Sequence, residues 1–262
     1  MNNNNTKMKK VIQIDFLKAQ KPKNVEEFGY WLAGLIDADG HIEKEGNVCL
    51  FFHQRDLSVA YYIKKIIGHG SILKLKRSKS YRYRCCRTDK VRWIGEIIRD
   101  KLRHEDKIKQ FNSRLVPKIG GNKTKNNLSI SFENHWLAGF IQGDGSFQIQ
   151  INNRAKLKTQ IMVVIQISQK KDLLLQQIKK AFGGVIYYYK PQDYFFYTSS
   201  SISNAVKFVD YLDHFQVIGS SFKIYKFWRQ AHFYMGKGRH LTESGQKSIV
   251  DFKASMSALK MN

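Results

Sequence analysis

The stretch from Trp31 to Gly40 reads WLAGLIDADG, and the stretch from Trp136 to Gly145 reads WLAGFIQGDG. The second begins 105 residues after the first (136 − 31 = 105), and both open with the same four residues and close on the same Asp-Gly pair. Chance does not readily produce such a match, so we interpret the chain as two copies of one structural unit. This repeat determines the fold that the sequence predicts.

The similarity continues beyond the two motifs. After each motif, polar and apolar residues alternate in a pattern that predicts two strands. A helix follows in each copy, with Asp56 and Asp172 as N-caps and Gly68 and Gly183 as C-cap glycines. A second hairpin and further helices complete each copy. The order helix, two strands, helix, two strands, helices predicts an α+β fold with antiparallel sheets.

The domain boundaries follow from the repeat and from composition. We expect an N-terminal extension at residues 1–24, a first domain at 25–117, a linker at 118–130 and a second domain at 131–262. The linker is predicted because PKIGGNKTKNN, at residues 117–127, is polar and contains glycine. The first 24 residues have neither the apolar core of a signal peptide nor an arginine-rich amphipathic pattern, so no targeting signal is expected there.

The charge of the chain predicts a polyanionic partner. Lys and Arg number 45 against 21 Asp and Glu, a formal net charge of +24. An anionic membrane surface is the main alternative to nucleic acid, but it predicts a localised basic block, whereas this charge is spread along the chain. Codon bias in an A/T-rich genome accounts for part of the lysine excess. No apolar run approaches the roughly 18 residues of a membrane span, and three cysteines form neither a disulfide framework nor a zinc site.

Small residues recur on one side of both motif helices. Gly34 and Ala38 are four residues apart, as are Gly139 and Gly143. Residues four apart lie on one helix face, and small side chains there allow a second backbone to approach closely. The two helices are therefore predicted to pack against each other about an internal pseudo-two-fold axis.

Each motif helix ends in an aspartate followed by glycine. Asp39 and Asp144 would place carboxylates at the negative ends of two touching helix dipoles, an arrangement that a bound divalent cation such as Mg²⁺ would stabilise. The alternative is that Asp-Gly is only a turn. Asp37, whose counterpart is Gln142, is interpreted as structural or solvent-facing.

The two motifs resemble the signature helices of single-chain LAGLIDADG homing endonucleases, and the resemblance covers about residues 27–256. It implies two pseudo-symmetric αββαββα domains, each laying a four-stranded antiparallel saddle on DNA. It also implies that Asp39 and Asp144, with the backbone carbonyls of Ala38 and Gly143, hold two or three divalent ions, expected to be Mg²⁺. Such enzymes act as monomers, cut both strands of a long asymmetric target of roughly 20 bp and leave four-base 3′ overhangs. Their genes usually lie in organellar or microbial introns, so a mitochondrial or chloroplast location is expected.

The resemblance also implies supporting catalytic residues. Gln54 and Gln169 are expected at the ends of the second strands, where such a residue orders water around the metals; the alternative is an ordinary polar residue at a helix cap. Lys101 is expected to stabilise charge on the phosphate. In the second copy Ser221 stands about where Lys is usual and Lys223 follows two residues later, so Lys223 is the candidate there. Both lysines have the alternative of being phosphate anchors or solvated side chains.

Polar strand faces are the candidate DNA-reading surfaces, because base edges are read by Arg, Lys, Gln and Asn. In the second copy the candidates are Ser146, Gln148, Gln150, Asn152 and Arg154 on one strand, with Gln166 and Ser168 on its neighbour. In the first copy they are Lys74, Lys76, Arg82 and Arg84, interpreted as sharing one face of the later hairpin. Glu43 and Glu45 fit poorly: they would accept from cytosine amino groups, or the register differs by one residue. The alternative for these faces is a solvated sheet surface.

Three functions follow from these patterns. The first is a sequence-specific, metal-dependent DNA endonuclease for intron homing. The second is an RNA maturase that assists splicing of its host intron, alone or in addition. The third is a non-catalytic DNA-binding relative. Aspartate at both Asp39 and Asp144 favours an active nuclease, because splicing does not require these carboxylates.

Overall fold

The first half of the chain contains one motif helix, four strands and the helices that cover them. The computed structural model describes residues 17–125, 131–152 and 159–261. Its first half comprises α1 (Val25–Asp39), β1 (Gly40–Ile42), β2 (Val48–His53), α2 (Leu57–Ile67), β3 (Ser71–Lys74), β4 (Ser80–Cys85), α3 (Thr88–Ile98), α4 (Glu105–Gln110) and α5 (Val116–Ile119). A π-helical turn, Phe111–Leu115, joins α4 to α5.

The second half repeats this order and then adds a helix. It comprises α6 (Trp136–Asp144), β5 (Gly145–Asn152), β6 (Gln160–Gln169), α7 (Leu173–Phe182), β7 (Val185–Tyr189), β8 (Tyr194–Ser199), α8 (Ile202–His214), α9 (Gly219–Gly236) and α10 (Glu243–Met261). The predicted α+β fold of two similar αββαββα units is confirmed. Helix α10 follows the repeated unit and has no counterpart in the described part of the first half.

Two antiparallel four-stranded sheets form, with strand orders β1-β2-β4-β3 and β5-β6-β8-β7. A buried tyrosine occupies the same position in each. Tyr83 in β4 donates from its hydroxyl to the carbonyl of His69 at 2.7 Å, and Tyr197 in β8 donates to the carbonyl of Gly183 at 2.8 Å. Each bond ties a core strand to the loop after the preceding helix, so the two sheets are built in the same way.

The two motif helices pack backbone to backbone. A methyl group on Gly34 would lie 1.9 Å from the carbonyl oxygen of Trp136, and one on Gly139 would lie 1.9 Å from that of Trp31. These reciprocal approaches confirm the predicted packing and the internal pseudo-two-fold relation. The absence of side chains at both glycines allows the helices to approach so closely, and this brings their C-terminal ends together.

Asp37 connects α1 to the start of α4. It is buried, and its carboxylate accepts from the backbone N–H groups of Arg103 at 2.8 Å and His104 at 3.2 Å. The indole N–H of Trp136 donates to it at 2.8 Å. The structural interpretation of Asp37 therefore agrees with its contacts, whereas the solvent-facing alternative is wrong. Burial raises the pKa of Asp37 to about 6, against the lowering effect of these hydrogen bonds.

Gln142, the counterpart of Asp37, likewise connects its motif helix to the start of α9, but its side-chain amide makes different hydrogen bonds. Its oxygen accepts from the backbone N–H of Ile218 at 2.8 Å, and its nitrogen donates to the hydroxyl of Ser221 at 3.0 Å. The indole N–H of Trp31, the counterpart of Trp136, is buried without a hydrogen-bond partner among the described residues. The two halves therefore share a backbone plan while their polar contacts at the motif helices diverge.

The two aspartates predicted as N-caps make other contacts instead. Asp56 and Asp172 precede α2 and α7, but neither side chain caps its helix. Asp56 instead accepts from the hydroxyl of Ser220 at the start of α9, and Asp172 accepts from the side chain of Gln176 at 3.0 Å. Asp56 thus connects the first half to the second through a buried contact.

The chain packs onto the first half for some distance after α5. The backbone N–H of Thr124 donates to the side chain of Asn112 at 2.8 Å, and its hydroxyl accepts from the backbone N–H of Asp100 at 2.8 Å. Part of the segment predicted as a linker is therefore attached to the first half. Within residues 17–125, 131–152 and 159–261, no helix combines the length and the apolar character that a membrane crossing requires.

Candidate active site and nucleic-acid interface

Two aspartates meet where the motif helices end. Asp39 is the last residue of α1 and Asp144 the last residue of α6. A methyl group on Gly143 would lie 2.6 Å from the side chain of Ala38 and 3.3 Å from a carboxylate oxygen of Asp39. The Asp39 carboxylate therefore lies beside the backbone just before Asp144, at the base of both helices.

The charged forms of both aspartates are disfavoured at this position. Asp39 keeps solvent access and Asp144 is half-buried, but the surrounding protein replaces much of the water around each carboxylate. Burial raises the pKa of Asp39, partly offset by Lys107. Burial and the neighbouring Asp39 raise the pKa of Asp144 to about 8, against the opposing effects of Lys107 and Gln169. A bound cation would therefore stabilise the ionised forms of both carboxylates.

The donor atoms at this position suit a hard divalent cation. Two carboxylates are supplied, and the last carbonyls of each helix, including those of Ala38 and Gly143, have no partner within their own helix. Mg²⁺ prefers such oxygen ligands and commonly keeps several waters. No group of three or more His, Cys, Asp or Glu side chains suited to a metal occurs in the described part of the chain. The two carboxylates and the helix-end carbonyls are the candidate ligands.

The basic residue that the structure brings to the aspartates is Lys107, in α4. Its ammonium donates to the carbonyl of Gly40, next to Asp39, at 2.5 Å. Burial lowers the pKa of Lys107, while surrounding carboxylates, among them Asp39 and Asp144, act to raise it. The charge of Lys107 therefore favours the ionised forms of both aspartates, although the effect of burial on their pKa values is larger.

Lys101, which the sequence suggested for this role, lies elsewhere. Its ammonium is 3.3 Å from a carboxylate oxygen of Glu26 and 5.1 Å from the ring centre of Tyr30. Glu26 is in the first turn of α1, about 20 Å along the helix axis from Asp39 at 1.5 Å per residue. We therefore replace Lys101 by Lys107 as the candidate. The resemblance of the segment IRDKLRHEDKI to the family's pattern suggested Lys101, but α4 brings Lys107 to the carbonyl of Gly40.

The second half has no lysine at the equivalent place. Lys107 is the third residue after His104, the N-cap of α4, and Ser221 is the third residue after Ile218, the N-cap of α9. Lys223 is exposed, and no contact of its ammonium is found within the described residues. Aligning the two helix starts identifies Lys107 and Ser221 as counterparts, a comparison that the sequence alone would have allowed.

The two glutamines predicted at strand ends are not equivalent. Gln169, the last residue of β6, is buried and donates to the carboxylate of Asp144. Gln54 follows the end of β2 and is exposed. The strand registers pair Gly40 with Leu50 and Gly145 with Ile167, so the counterpart of Gln169 is Phe52, two residues beyond Leu50.

This difference has a simple cause. A three-residue 3₁₀ turn, Gln54–Asp56, lies between β2 and α2. Three residues also join β6 to α7, so the offset arises elsewhere: β2 continues one residue further past the paired glycine than β6 does, and α2 has 11 residues against 10 in α7. Spacing measured back from Gly68 therefore places Gln54 opposite Gln169, although the strand registers do not. Only Gln169 contacts a motif aspartate.

The second sheet carries its polar residues on one face. Ser146 is paired with Gln166 across β5 and β6, and cross-strand partners point to the same side. The side chain of Gln148 donates to Gln166 at 2.9 Å, and that of Gln150 donates to Gln148 at 3.3 Å. Ser168 and Asn152 continue this face along their strands, while Arg154 lies outside the described residues.

The first sheet has a different arrangement from the one predicted. Arg82 in β4 pairs with Leu73, and Lys74 pairs with Tyr81. Lys74 is thus on the opposite face from Arg82, and Lys76 lies in the turn after β3. The prediction that these side chains share one face is therefore wrong for Lys74 and Lys76. Even-numbered residues need not share a face on both strands of a hairpin, because the length of the turn determines which residues are paired.

Arg84 is held by an acidic residue. Its guanidinium lies 2.7 Å from a carboxylate oxygen of Glu43, and this hydrogen bonding lowers the pKa of Glu43 to about 2. Strand β1 ends at Ile42, so Glu43 and Glu45 belong to the turn rather than to the strand face. Glu43 therefore neutralises part of the basic face in the first half.

Comparison with known proteins decides the family. A family model described as LAGLIDADG endonuclease matches residues 137–232. The chain is also 37% identical over 250 residues to the uncharacterized cox1 intron-2 37.2 kDa protein of Schizosaccharomyces pombe, covering 92% of this chain and 76% of that protein. The chain belongs to the LAGLIDADG homing endonuclease family.

Relatives of this LAGLIDADG protein have two kinds of described activity. It is 24% identical over 166 residues to the intron-encoded RNA maturase bI4 of Saccharomyces cerevisiae, covering 62% of this chain and 25% of that one. It is 27% identical over 165 residues to the intron-encoded DNA endonuclease ai2b of Dictyostelium discoideum, covering 58% of each.

Solved structures share the fold of this LAGLIDADG protein. I-SmaMI bound to an uncleaved DNA target in the presence of calcium ions superposes with a TM-score of 0.69 at 21% identity, covering 87% of this chain and 98% of that one. I-LtrWI bound to target DNA has a TM-score of 0.66 at 20% identity, covering 88% and 97%. These similarities establish the two-unit architecture and its antiparallel sheets.

Proposed function

We propose that this protein is a sequence-specific, metal-dependent endonuclease that cuts both strands of DNA at the insertion site of its own intron. The observation that carries the proposal is the meeting of Asp39 and Asp144 at the ends of two packed helices. We further propose Mg²⁺ as the metal and four-base 3′ overhangs as the product. The target is proposed to be asymmetric and roughly 20 bp long, because two different half-sites about one helical turn apart would be read.

The side chains around the two aspartates have separate tasks in this mechanism. A bound divalent cation would polarise a phosphate oxygen and provide a nucleophilic water. Asp39 and Asp144 must be ionised to hold it, so metal binding competes with their protonation. Gln169 donates to Asp144 and fixes the orientation of that carboxylate. Lys107 holds a positive charge beside the same place, where it would stabilise charge that develops on the phosphate.

The two sheets and the net charge support DNA as the substrate. The polar face of the second sheet offers amide and hydroxyl groups that can read base edges. The overall charge of +24 favours approach to a polyanion. Because both halves of the site lie in one chain, a monomer suffices for cutting both strands. The intron-encoded relatives and the lysine- and asparagine-rich composition support an organellar location.

The test is cleavage of the intronless exon junction of the host gene in the presence of Mg²⁺. We expect the wild-type chain to cut both strands, and Asp39→Asn and Asp144→Asn each to bind the duplex without cutting it. Unchanged binding of the duplex by both variants is the control that each substitution leaves the fold intact. Cleavage that survives either motif-aspartate substitution would overturn the proposal.

A second activity, assistance of intron splicing, is favoured by the similarity to the maturase bI4. Both activities are compatible in one chain, since each requires polyanion binding. Splicing of the host intron by the Asp39→Asn/Asp144→Asn double variant would support the maturase role independently of cleavage. Failure of the wild-type protein to accelerate splicing would remove it. The third alternative, a non-catalytic DNA-binding relative, is disfavoured by the retention of both carboxylates.

A further inference from the structure

Helix α10 lies against the edge of the second sheet, next to the polar face proposed to read DNA. A cavity of about 270 Å³ separates the helix from strand β5. The cavity is lined by Gln148, Ile149 and Gln150 of β5 and by Lys253, Met256, Ser257 and Lys260 of α10. The added helix therefore shares a wall with two of the glutamines on the polar face.

One face of α10 carries several hydrogen-bond donors. Lys253, Ser257 and Lys260 are spaced four and three residues apart, so they project from the same side of the helix. Buried Met256 anchors this side to the core, while Lys253 and Ser257 remain exposed. No acidic side chain is paired with Lys253 in the described part of the chain. The cavity wall is thus cationic and carries no carboxylate of its own.

Lys260 and Arg55 complete this cationic group. The ammonium of Lys260 donates to the carbonyl of Phe147 in β5 at 2.8 Å, and Arg55 donates to the backbone carbonyl of Lys260 at 3.4 Å. Arg55 also lies 3.4 Å from a carboxylate oxygen of Asp56. Burial and the charge of Arg55 lower the pKa of Lys260, so a nearby anion would stabilise its charged form.

The first half covers the equivalent strand edge differently. There Arg114, after α4, donates to the carbonyl of Ile42 at 2.7 Å. Ile42 is the second residue after Gly40, just as Phe147 is the second after Gly145. Lys260 therefore donates to the second sheet at the position where Arg114 donates to the first. Unlike Arg114, it lies on a helix that also carries a second lysine, Lys253, beside the polar face.

We propose that the face of α10 formed by Lys253, Ser257 and Lys260 binds a backbone phosphate of the nucleic-acid duplex that lies on the second sheet. A phosphate accepts hydrogen bonds and carries one negative charge, which matches the two ammonium groups. The Ser257 hydroxyl donates to the backbone carbonyl of Lys253 at 3.0 Å and would rotate toward the phosphate. A contact beside Gln148 and Gln150 would fix the register of the duplex on these side chains while adding affinity that does not depend on base sequence. The inference rests on the proposed DNA-binding function and extends it to a helix outside the repeated unit.

The test compares Lys253→Ala with Lys247→Ala, a matched variant of an exposed lysine six residues earlier on a different side of α10. Binding to the intronless exon junction is measured in chelator, so that the duplex stays intact, over a range of salt concentrations. We expect Lys253→Ala to weaken binding and to reduce the slope of log K against log salt by about one. Lys247→Ala should leave that slope unchanged.

Neutral methylphosphonates, placed one at a time along the duplex, locate the contact. We expect one phosphate whose neutralisation weakens binding by the wild-type chain but not by Lys253→Ala. Equal losses for both proteins at every position, or equal slopes for Lys253→Ala and the wild type, would overturn the inference. Cleavage of the unmodified duplex by wild type is scored in parallel with Mg²⁺. A wild-type chain that binds but never cuts contradicts the proposed nuclease without affecting the phosphate contact.

Discussion

At the residue scale, the carboxyl group of Asp144 is placed where its ionised form is disfavoured. Its pKa is about 8 in the folded chain and 3.8 in the absence of these surroundings. Between these values the folded state binds more protons than the unfolded state, so the free energy of unfolding decreases as pH rises. The decrease should level off above about pH 8, where both states are ionised.

We therefore expect Asp144→Asn to flatten this pH dependence in metal-free protein and to be more stable than wild type at pH 9. Urea unfolding at several pH values between 5 and 9 measures the effect. Mg²⁺ should stabilise the wild type more as pH rises, because the ionised carboxylates are the metal-binding form. A wild-type stability that rises with pH across this window in chelator would contradict the placement of Asp144.

A second prediction at the residue scale concerns Lys107, which replaces Lys101 as the candidate that stabilises charge on the phosphate. Lys107→Met should lower the single-turnover cleavage rate by about 100-fold, the order of loss for one preorganised group that stabilises developing charge. Lys101→Met is the matched control, since its ammonium is bound to Glu26 at the other end of α1. Cleavage is measured with protein in excess over target. A greater loss for Lys101→Met than for Lys107→Met would return the role to Lys101.

At the scale of elements, the packing of α1 on α6 depends on the absence of side chains at two glycines. A methyl group on Gly34 would meet the carbonyl oxygen of Trp136 at 1.9 Å, far inside van der Waals contact. We expect Gly34→Ala to destabilise the protein by about 3 kcal/mol, the upper part of the range for overpacked cores. Gly139→Ala, its pseudo-symmetric counterpart, should behave alike.

The control for this prediction is Gly236→Ala, at the end of α9. A methyl group there would meet nothing within 4 Å. Because alanine restricts the unfolded chain more than glycine does, this substitution should be neutral or slightly stabilising. Urea denaturation midpoints compare the three variants. Equal midpoints for Gly34→Ala and Gly236→Ala would mean that the helices do not approach as the structure shows.

At the scale of the whole molecule, two similar halves surround one site with unequal side chains. Lys107 in the first half and Ser221 in the second occupy equivalent positions, and Phe52 is the counterpart of Gln169. We expect the two DNA strands to be cut at different rates, with a nicked duplex as an intermediate. Time courses with each strand labelled separately measure this. Lys223→Ala should leave both rates unchanged, because Ser221 and not Lys223 has the position equivalent to Lys107. Equal rates for the two strands would contradict the proposed asymmetry.

Much of the architecture could be predicted because it depends on local sequence patterns. The duplicated motif, the alternating strands and the Gly68 and Gly183 helix ends each depend on neighbours within a few residues. The small residues Gly34 and Gly139 predicted the packing of the two helices, because two helix backbones can approach closely only where the side chains between them are small. The aspartates Asp39 and Asp144 then followed from the geometry of helix ends.

The repeated unit, the α+β fold and the place where two carboxylates meet could therefore all be inferred from the order of residues. Which other side chains lie beside these carboxylates depends on how distant elements pack. Lys107 lies beside them because α4 contacts the end of α1 and the edge of β1. Gln54 does not, because the strand register gives Phe52 the position that Gln169 has in the second half. Lys74 lies on the opposite face of its sheet from Arg82. Each of these outcomes depends on the hydrogen-bond register between strands or on a contact between separate elements, and a one- or two-residue slip moves a side chain to another face.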